Sequence, residues 1–215
     1  MFQGTQYLTV NQSIYIKVCM DKGLAPVVPC VVYSFGINNE WSFDDHFVDY
    51  GCQVFAFDPS INVTLDMPPS IHFYQLGLGA EDTDSDQVSG WKLRTLSSLY
   101  DTLKLEHGNV PIDYLKLDVE QAEWGAIGQI LRSGMFDNVK QLGIEIHFMN
   151  RVPLSTEYTR ICLNIIKSME DYGLVRFNSR VNLVSEGILF GRSQYLAFEL
   201  AWYNQKYRPK FRQID

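Results

Sequence analysis

No stretch of this 215-residue chain approaches the roughly 18 to 20 consecutive apolar residues that a membrane-spanning helix needs. Its first residues, MFQGTQYLTVNQ, have neither the charged start nor the apolar block of a secretory leader. Cysteine is scarce, at four positions (Cys19, Cys30, Cys52 and Cys162), and no CxxC pair occurs. That argues against a zinc ribbon or a dithiol redox motif. Clustered Lys and Arg are missing before the tail Lys206–Arg212 (KYRPKFR), and the net charge is −7. Phosphate backbones are bound by grouped cations, so no nucleic-acid partner is expected. Repeats and linkers are missing too, which leaves one domain over residues 29–215 and an extension over residues 1–28 packed on it.

What is present suits a packed enzyme-sized core. Hydrophobic residues make up 46% of the chain and charged residues 20%. The most informative segment is CVVYSFGINNEWSFDDHFVDYGCQVFAFDPS, Cys30 to Ser60. An apolar run, about Val31–Ser34, ends in the turn Phe35-Gly36-Ile37-Asn38. Ser42 and Asp45 read as a Ser-x-x-Asp cap for a helix through about Asp49, and a second apolar run, Gln53–Phe57, ends in Asp58-Pro59. A strand–turn–helix–strand unit closed by an acid is the layout of a nucleotide site. The glycine admits the ligand to the backbone and the acid takes ribose hydroxyls.

Further strands are expected at about Ile71–Leu76, Ile112–Leu117, Gln141–Ile146, Leu174–Phe177 and Tyr195–Tyr203, with Ile14–Val18 a short strand or a docking helix. Helices are expected over Leu96–Leu105, over the stretch bearing Trp124, Ile127, Ile130 and Leu131 and closed by Gly134, and over Thr156–Tyr172. The last helix carries Tyr158, Ile161, Ile165, Met169 and Tyr172 on one apolar face and stops at Gly173. Strands alternating with helices predict a mostly parallel sheet, and the final strand–turn–strand adds one reversed strand near the C-terminus. The expected architecture is therefore α/β: a Rossmann-like class I methyltransferase fold, with a seven-stranded sheet and helices on both faces.

Ligands of such sheets sit beyond the carboxyl ends of the strands. The residues there are Ser34 to Asn38, Asp58, Gly77 to Gly79, Asp118 with Glu120, and Glu145 with His147. In YLKLDVEQAEW, Asp118 and Glu120 alternate onto one face, and Glu123 lies one helical turn on, where an acid also suits a helix N-terminus. His147 has three readings: a structural strand-end imidazole, a general base, or with Asp118 a metal ligand; no metal is assigned. Trp91, after the acidic loop Glu81–Gly90, borders an acceptor pocket or simply the rim.

The blocks CVVYSFGINNEWSFDDHFVDYGCQVFAFDPS, GWKLRTLSSL, IDYLKLDVEQAEW and VKQLGIEIH, in that order, resemble FkbM-type S-adenosylmethionine-dependent methyltransferases, in the subgroup of methyltransferase-like protein 24. The resemblance implies that S-adenosylmethionine is held by Ser34, Phe35, Gly36, Asn38, Asp58, Pro59, Leu78 and Gly79, with Asp58 on the ribose and Leu78 and Gly79 near the adenine. It puts Asp118 and Glu120 at the methyl-transfer centre, with His147 as the third candidate catalytic residue. Two positions depart from the pattern: Ser34 stands where an acid is usual, and Gln121 where Asp-x-Glu-Gly ends in glycine. The acceptor implied is a small-molecule or glycan hydroxyl. A catalytically degenerate binding module is the alternative. An NAD-dependent oxidoreductase is weaker, because the first turn lacks repeated glycines.

Cys30 and Cys52 begin neighbouring strands and could pair, Cys19 being a third candidate; small buried thiols are the alternative. With the sequons Asn11-Gln12-Ser13 and Asn62-Val63-Thr64, a disulfide points to a secretory lumen.

Overall fold

A computed structural model describes residues 7–10, 16–63, 67–148, 155–189 and 191–209. The sequon at Asn11 lies outside them. The central sheet has seven strands, labelled here β1 (Cys30–Phe35), β2 (Cys52–Phe57), β3 (Ile71–Tyr74), β4 (Tyr114–Leu117), β5 (Gln141–His147), β6 (Leu174–Val181) and β7 (Ala197–Asn204). Their spatial order is β3-β2-β1-β4-β5-β7-β6. Four neighbouring pairs are parallel; β7 alone is reversed, antiparallel to both β5 and β6. The helices are α1 (Ser42–Tyr50), α2 (Leu96–His107), α3 (Glu123–Ser133) and α4 (Thr156–Tyr172).

All six residues of β1 are buried, as a central strand covered on both faces requires. Side chains alternate between two cores. Val31, Tyr33 and Phe35 join Phe55, Phe57, Leu115 and Leu117 beneath α2, α3 and α4. Cys30 and Val32 join Val54 and Ala56 beneath Phe43 and Phe47 of α1. The parallel pairing of β1, β2, β4 and β5 puts their carboxyl ends at one edge of the sheet.

Several sequence readings shift. Ser42 is the first helical residue rather than the cap, and no Ser42–Asp45 box forms; its N–H and hydroxyl both go to the Glu40 carboxylate. The segment read as strand or helix near Ile14 is a strand, Ile16–Cys19, paired antiparallel with Tyr7–Val10. Ile16 and Val18 enter the α1-side core, so this part of the extension packs on the domain. On α4 the buried stripe is Cys162, Ile166 and Met169, whereas Tyr158, Ile161 and Tyr172 are exposed. Two apolar stripes share the helical period, and packing against α3 and β6 selects the one beside that expected. Between β6 and β7 a hairpin, Glu186–Leu189 with Arg192–Tyr195, replaces a direct turn.

Cys30 and Cys52 form a disulfide, with Cα atoms 4.5 Å apart at facing register positions of β1 and β2. Cys19 and Cys162 are buried free thiols. Cys19 is instead pinned through its backbone, which exchanges hydrogen bonds with the Gln141 side chain.

Candidate active site

The turn after β1 is built on Gly36, whose φ is +78°. A Cβ there would overlap the carbonyl oxygen of Asp118, so only glycine lets this loop lie against the loop after β4. Among the described residues, four non-glycine residues have positive φ: Asn38 (47°), Asn39 (61°), Glu120 (48°) and Gln121 (77°). All four fall in these two touching loops. Such conformations cost of order 1–3 kcal/mol each and collect where a site holds its backbone fixed. Gln121 thus holds a left-handed backbone conformation that glycine adopts without strain.

Asp58, at the end of β2, is only 4% exposed. One carboxylate oxygen accepts the N–H groups of Ile37 (2.9 Å) and Asn38 (2.8 Å), and the other accepts the N–H (2.8 Å) and hydroxyl (2.6 Å) of Ser60. Burial raises its pKa, but these hydrogen bonds outweigh it and hold the carboxyl below its ordinary range. Beneath the loop, Ser34 Oγ and both Asp44 oxygens are buried without hydrogen-bond partners among the described residues. Lys116, 2% exposed, donates to the Gly36 carbonyl at 2.7 Å. Burial pushes the Asp44 carboxyl up to about 6, with the Lys116 charge restraining it. Phe35 stacks on Phe57 in the core, while Pro59 packs close to Gly77. Leu78 is 2% exposed and Gly77-Leu78 pairs with Leu93-Arg94, which leaves backbone as the contact this segment offers a ligand.

The acids expected at the ends of β4 and β5 do converge. His147 Nε2 lies 3.6 Å from Glu145 and 3.9 Å from both Asp118 and Glu120. Glu123, the first residue of α3 and fully buried, orients the ring. One of its oxygens accepts the His147 N–H at 2.7 Å and lies 3.3 Å from Nδ1. Trp124 Nε1 donates to the His147 carbonyl. Burial alone would lower the His147 pKa; the hydrogen bond and charge of Glu123, then Glu145 and Glu120, lift it to about 9. In that state the imidazole donates hydrogen bonds at neutral pH. Accepting a proton requires that the carboxylate field be neutralised first.

Two members of this cluster are poorly marked in the sequence. Glu123 reads as a helix-capping acid, yet its carboxylate points to β5. Glu199 is invisible without the register, since it reaches the site by facing Glu145 across the reversed β5–β7 pair. Burial, then the charges of Glu145 and Asp118, push Glu199 up to about 8; burial and Asp118 also raise Glu145, which accepts from Asn182 at 2.7 Å. His46, His72 and His107 lie away from the cluster: His107 bonds the Tyr33 hydroxyl and His72 stacks on Phe55. Trp91 is 43% exposed beyond the acidic loop.

A sheet ordered 3-2-1-4-5-7-6 with only its seventh strand reversed, carrying a glycine turn and an acid at the ends of its first two strands, defines a class I methyltransferase domain. Proteins of this class take their methyl group from S-adenosylmethionine. The family described as "Methyltransferase domain" matches residues 17–191, and the chain belongs to it. The chain is 24% identical over 209 residues to "Probable methyltransferase-like protein 24" of Homo sapiens, covering 89% of this chain and 56% of that protein. To the Rattus norvegicus protein of the same name it is 24% identical over 225 residues, covering 95% and 61%. It thus spans little more than half the length of these curated relatives. Similar solved structures include a 16S rRNA (adenine(1408)-N(1))-methyltransferase from Catenulisporales acidiphilia, at TM-score 0.45, 12% identity, and 93% and 97% coverage of the two chains. Another is a Burkholderia thailandensis 1,6-didemethyltoxoflavin-N1-methyltransferase, at TM-score 0.39, 10% identity, and 82% and 71% coverage. Among the described residues, no helix is long and apolar enough to cross a membrane.

Proposed function

We propose that this domain is an S-adenosylmethionine-dependent methyltransferase of the FkbM type, acting on a hydroxyl of a small molecule or glycan. The observation that carries the cofactor reading is Asp58. Its carboxylate is ionised, braces the β1 loop through two N–H groups, and receives the hydroxyl of exposed Ser60 at 2.6 Å. A lone pair that accepts a serine hydroxyl suits a ribose hydroxyl in the same position, and this is where the residues fit the cofactor. Gly36, Asn38 and Pro59 flank that position, Ser34 and Phe35 lie beneath it, and the Leu78-Gly79 backbone lies on the adenine side.

When bound, S-adenosylmethionine supplies a methyl group on a sulfonium centre. The chain's own contribution is chiefly positioning. Asp118 and Glu120 face the acceptor and orient its hydroxyl, and His147, locked by Glu123, forms the floor beneath them. The carboxylates gathered at the ends of β4 and β5 and a chain charge of −7 repel a phosphate backbone, which supports a neutral acceptor over a nucleic acid. The Cys30–Cys52 disulfide and the exposed Asn62 of the second sequon support a secretory-pathway location.

Calorimetry with S-adenosylhomocysteine tests the reading. One site per chain is expected, weakened by Asp58→Ala; correctly folded protein that takes up no nucleoside overturns it. One observation favours the alternative of a degenerate binding module: all four donors on Asp58 are already internal, and Ser34 offers no charge. Cofactor binding with no S-adenosylhomocysteine formed from S-adenosylmethionine across a panel of hydroxyl acceptors selects that alternative.

A further inference from the structure

We propose that Asp118, Glu145 and His147 form a binding site for one divalent cation of the manganese or zinc type. The three residues come from the adjacent ends of β4 and β5, and one ligand atom from each lies within 4.8 Å of the other two. Ligands about 2.1 Å from one tetrahedral ion stand about 3.4 Å apart, so side-chain shifts of up to about an ångström close the set.

Two further observations point to a ligand. The His147 side chain is only 5% exposed, and its Nε2 faces Glu145 at 3.6 Å and Asp118 and Glu120 at 3.9 Å. Those separations are beyond hydrogen-bonding distance yet leave room for an ion to bridge. The other ring nitrogen, Nδ1, is 3.3 Å from Glu123. A carboxylate on one imidazole nitrogen, with the second nitrogen directed at a group of oxygens, is how proteins orient a metal-ligating histidine. Glu123 is itself fully buried, and its second oxygen has no partner among the described residues. Negative charge is thus gathered around His147 beyond what the neighbouring hydrogen bonds satisfy.

The donor set selects the ion. One imidazole, which releases its Nε2 proton to solvent as the ion enters, and two carboxylates lie between the all-oxygen shells of magnesium and calcium and the thiolate shells of softer metals. Glu120, 69% exposed at the side chain, lies 3.9 Å from the same nitrogen. As a seat for an acceptor oxygen the ion rests on the methyltransferase reading; as a binding site it does not.

The test titrates Mn2+ alone into the untagged 215-residue chain and follows the electron paramagnetic resonance signal of the free ion. One bound ion per chain is expected, displaced by Zn2+. Glu145→Gln and His147→Gln should each weaken binding tenfold or more, and Asp45→Asn, on the exposed side of α1, should leave it unchanged. Near-UV circular dichroism checks the fold of each variant. If either loses its signal, Asp118→Asn, whose side chain is 33% exposed, takes its place, with the same tenfold weakening expected. A free-ion signal undiminished by folded wild-type protein overturns the site, as does binding that survives the substitutions. Calorimetry with S-adenosylhomocysteine on the same samples separates the two claims. Nucleoside without Mn2+ uptake removes only the metal site, and Mn2+ without nucleoside uptake removes only the cofactor reading.

Discussion

The two halves of the strand-end edge are built on opposite principles. On the β1–β2 side, one carboxylate, Asp58, meets four donors within 2.9 Å and is held below its ordinary pKa. On the β4–β5–β7 side, Asp118, Glu120, Glu123 and Glu145 crowd around one imidazole, Glu199 faces Glu145 across the β5–β7 pair, and burial and mutual repulsion raise Glu145 and Glu199. The Asp58 carboxylate has its donors before any ligand arrives. The second half holds charge that a ligand can still neutralise. Under the proposed function, the nucleoside goes to the β1–β2 half and the methyl acceptor to the other.

The largest effect that would break this contrast is Gly36→Ala. With φ at +78° and the Asp118 carbonyl in the way, a methyl there displaces one half against the other. A loss of on the order of 4 kcal/mol in urea unfolding is expected, together with loss of nucleoside binding. A stable variant that still binds would show that the halves do not touch in solution. Next, reduction of the Cys30–Cys52 disulfide should cost about 3 kcal/mol, since it closes a loop across a sequence separation of 22 residues. The bond lies at the amino ends of β1 and β2, so nucleoside affinity should be unchanged, and a parallel fall in affinity would contradict that placement. Asp58→Asn should then cost roughly 2 kcal/mol, because an amide oxygen replaces one charged acceptor and an amide N–H group faces donors.

A fourth prediction uses pH. Asp44, buried under the β1–β2 half, has its pKa raised to about 6. Between pH ~4 and ~6 the folded carboxyl keeps a proton that the unfolded chain releases. Its contribution is therefore complete below pH ~4 and is lost as pH rises through about 6. Relative to Asp44→Asn, wild-type stability should fall by roughly 2 kcal/mol over that window. Equal slopes for the two proteins would mean that Lys116 holds Asp44 ionised throughout. The smallest effect is Gln121→Gly, expected to stabilise by about 0.5–1 kcal/mol by relieving a φ of +77°.

Much of the β1–β2 half was legible in the sequence because its logic is local. Gly36, Asp58 and their spacing lie in one strand–turn–helix–strand unit, and burial on both faces makes β1 and β2 continuous apolar runs. The β4–β5–β7 half is assembled from distant pieces. Asp118, Glu120, Glu145 and His147 stood out as polar groups ending apolar strands. Glu199 did not, because it reaches the site only through an antiparallel register that no local pattern encodes. Lys116 hid in YLKLD, where a buried lysine reads as an ordinary strand residue although its ammonium supports the Gly36 carbonyl. On α4 the expected face is rotated: Ile165 and Met169 meet the core while Tyr158, Ile161 and Tyr172 do not, because periodicity fixes a spacing and leaves the choice between adjacent stripes to the packing.

The contact between residue 36 and the Asp118 carbonyl has a thermodynamic consequence. A ligand that shifts the β4 loop presses on the β1 loop, and one that shifts the β1 loop presses back. A ligand on one half and the affinity of the other are then bound by a single coupling free energy, identical whichever guest arrives first.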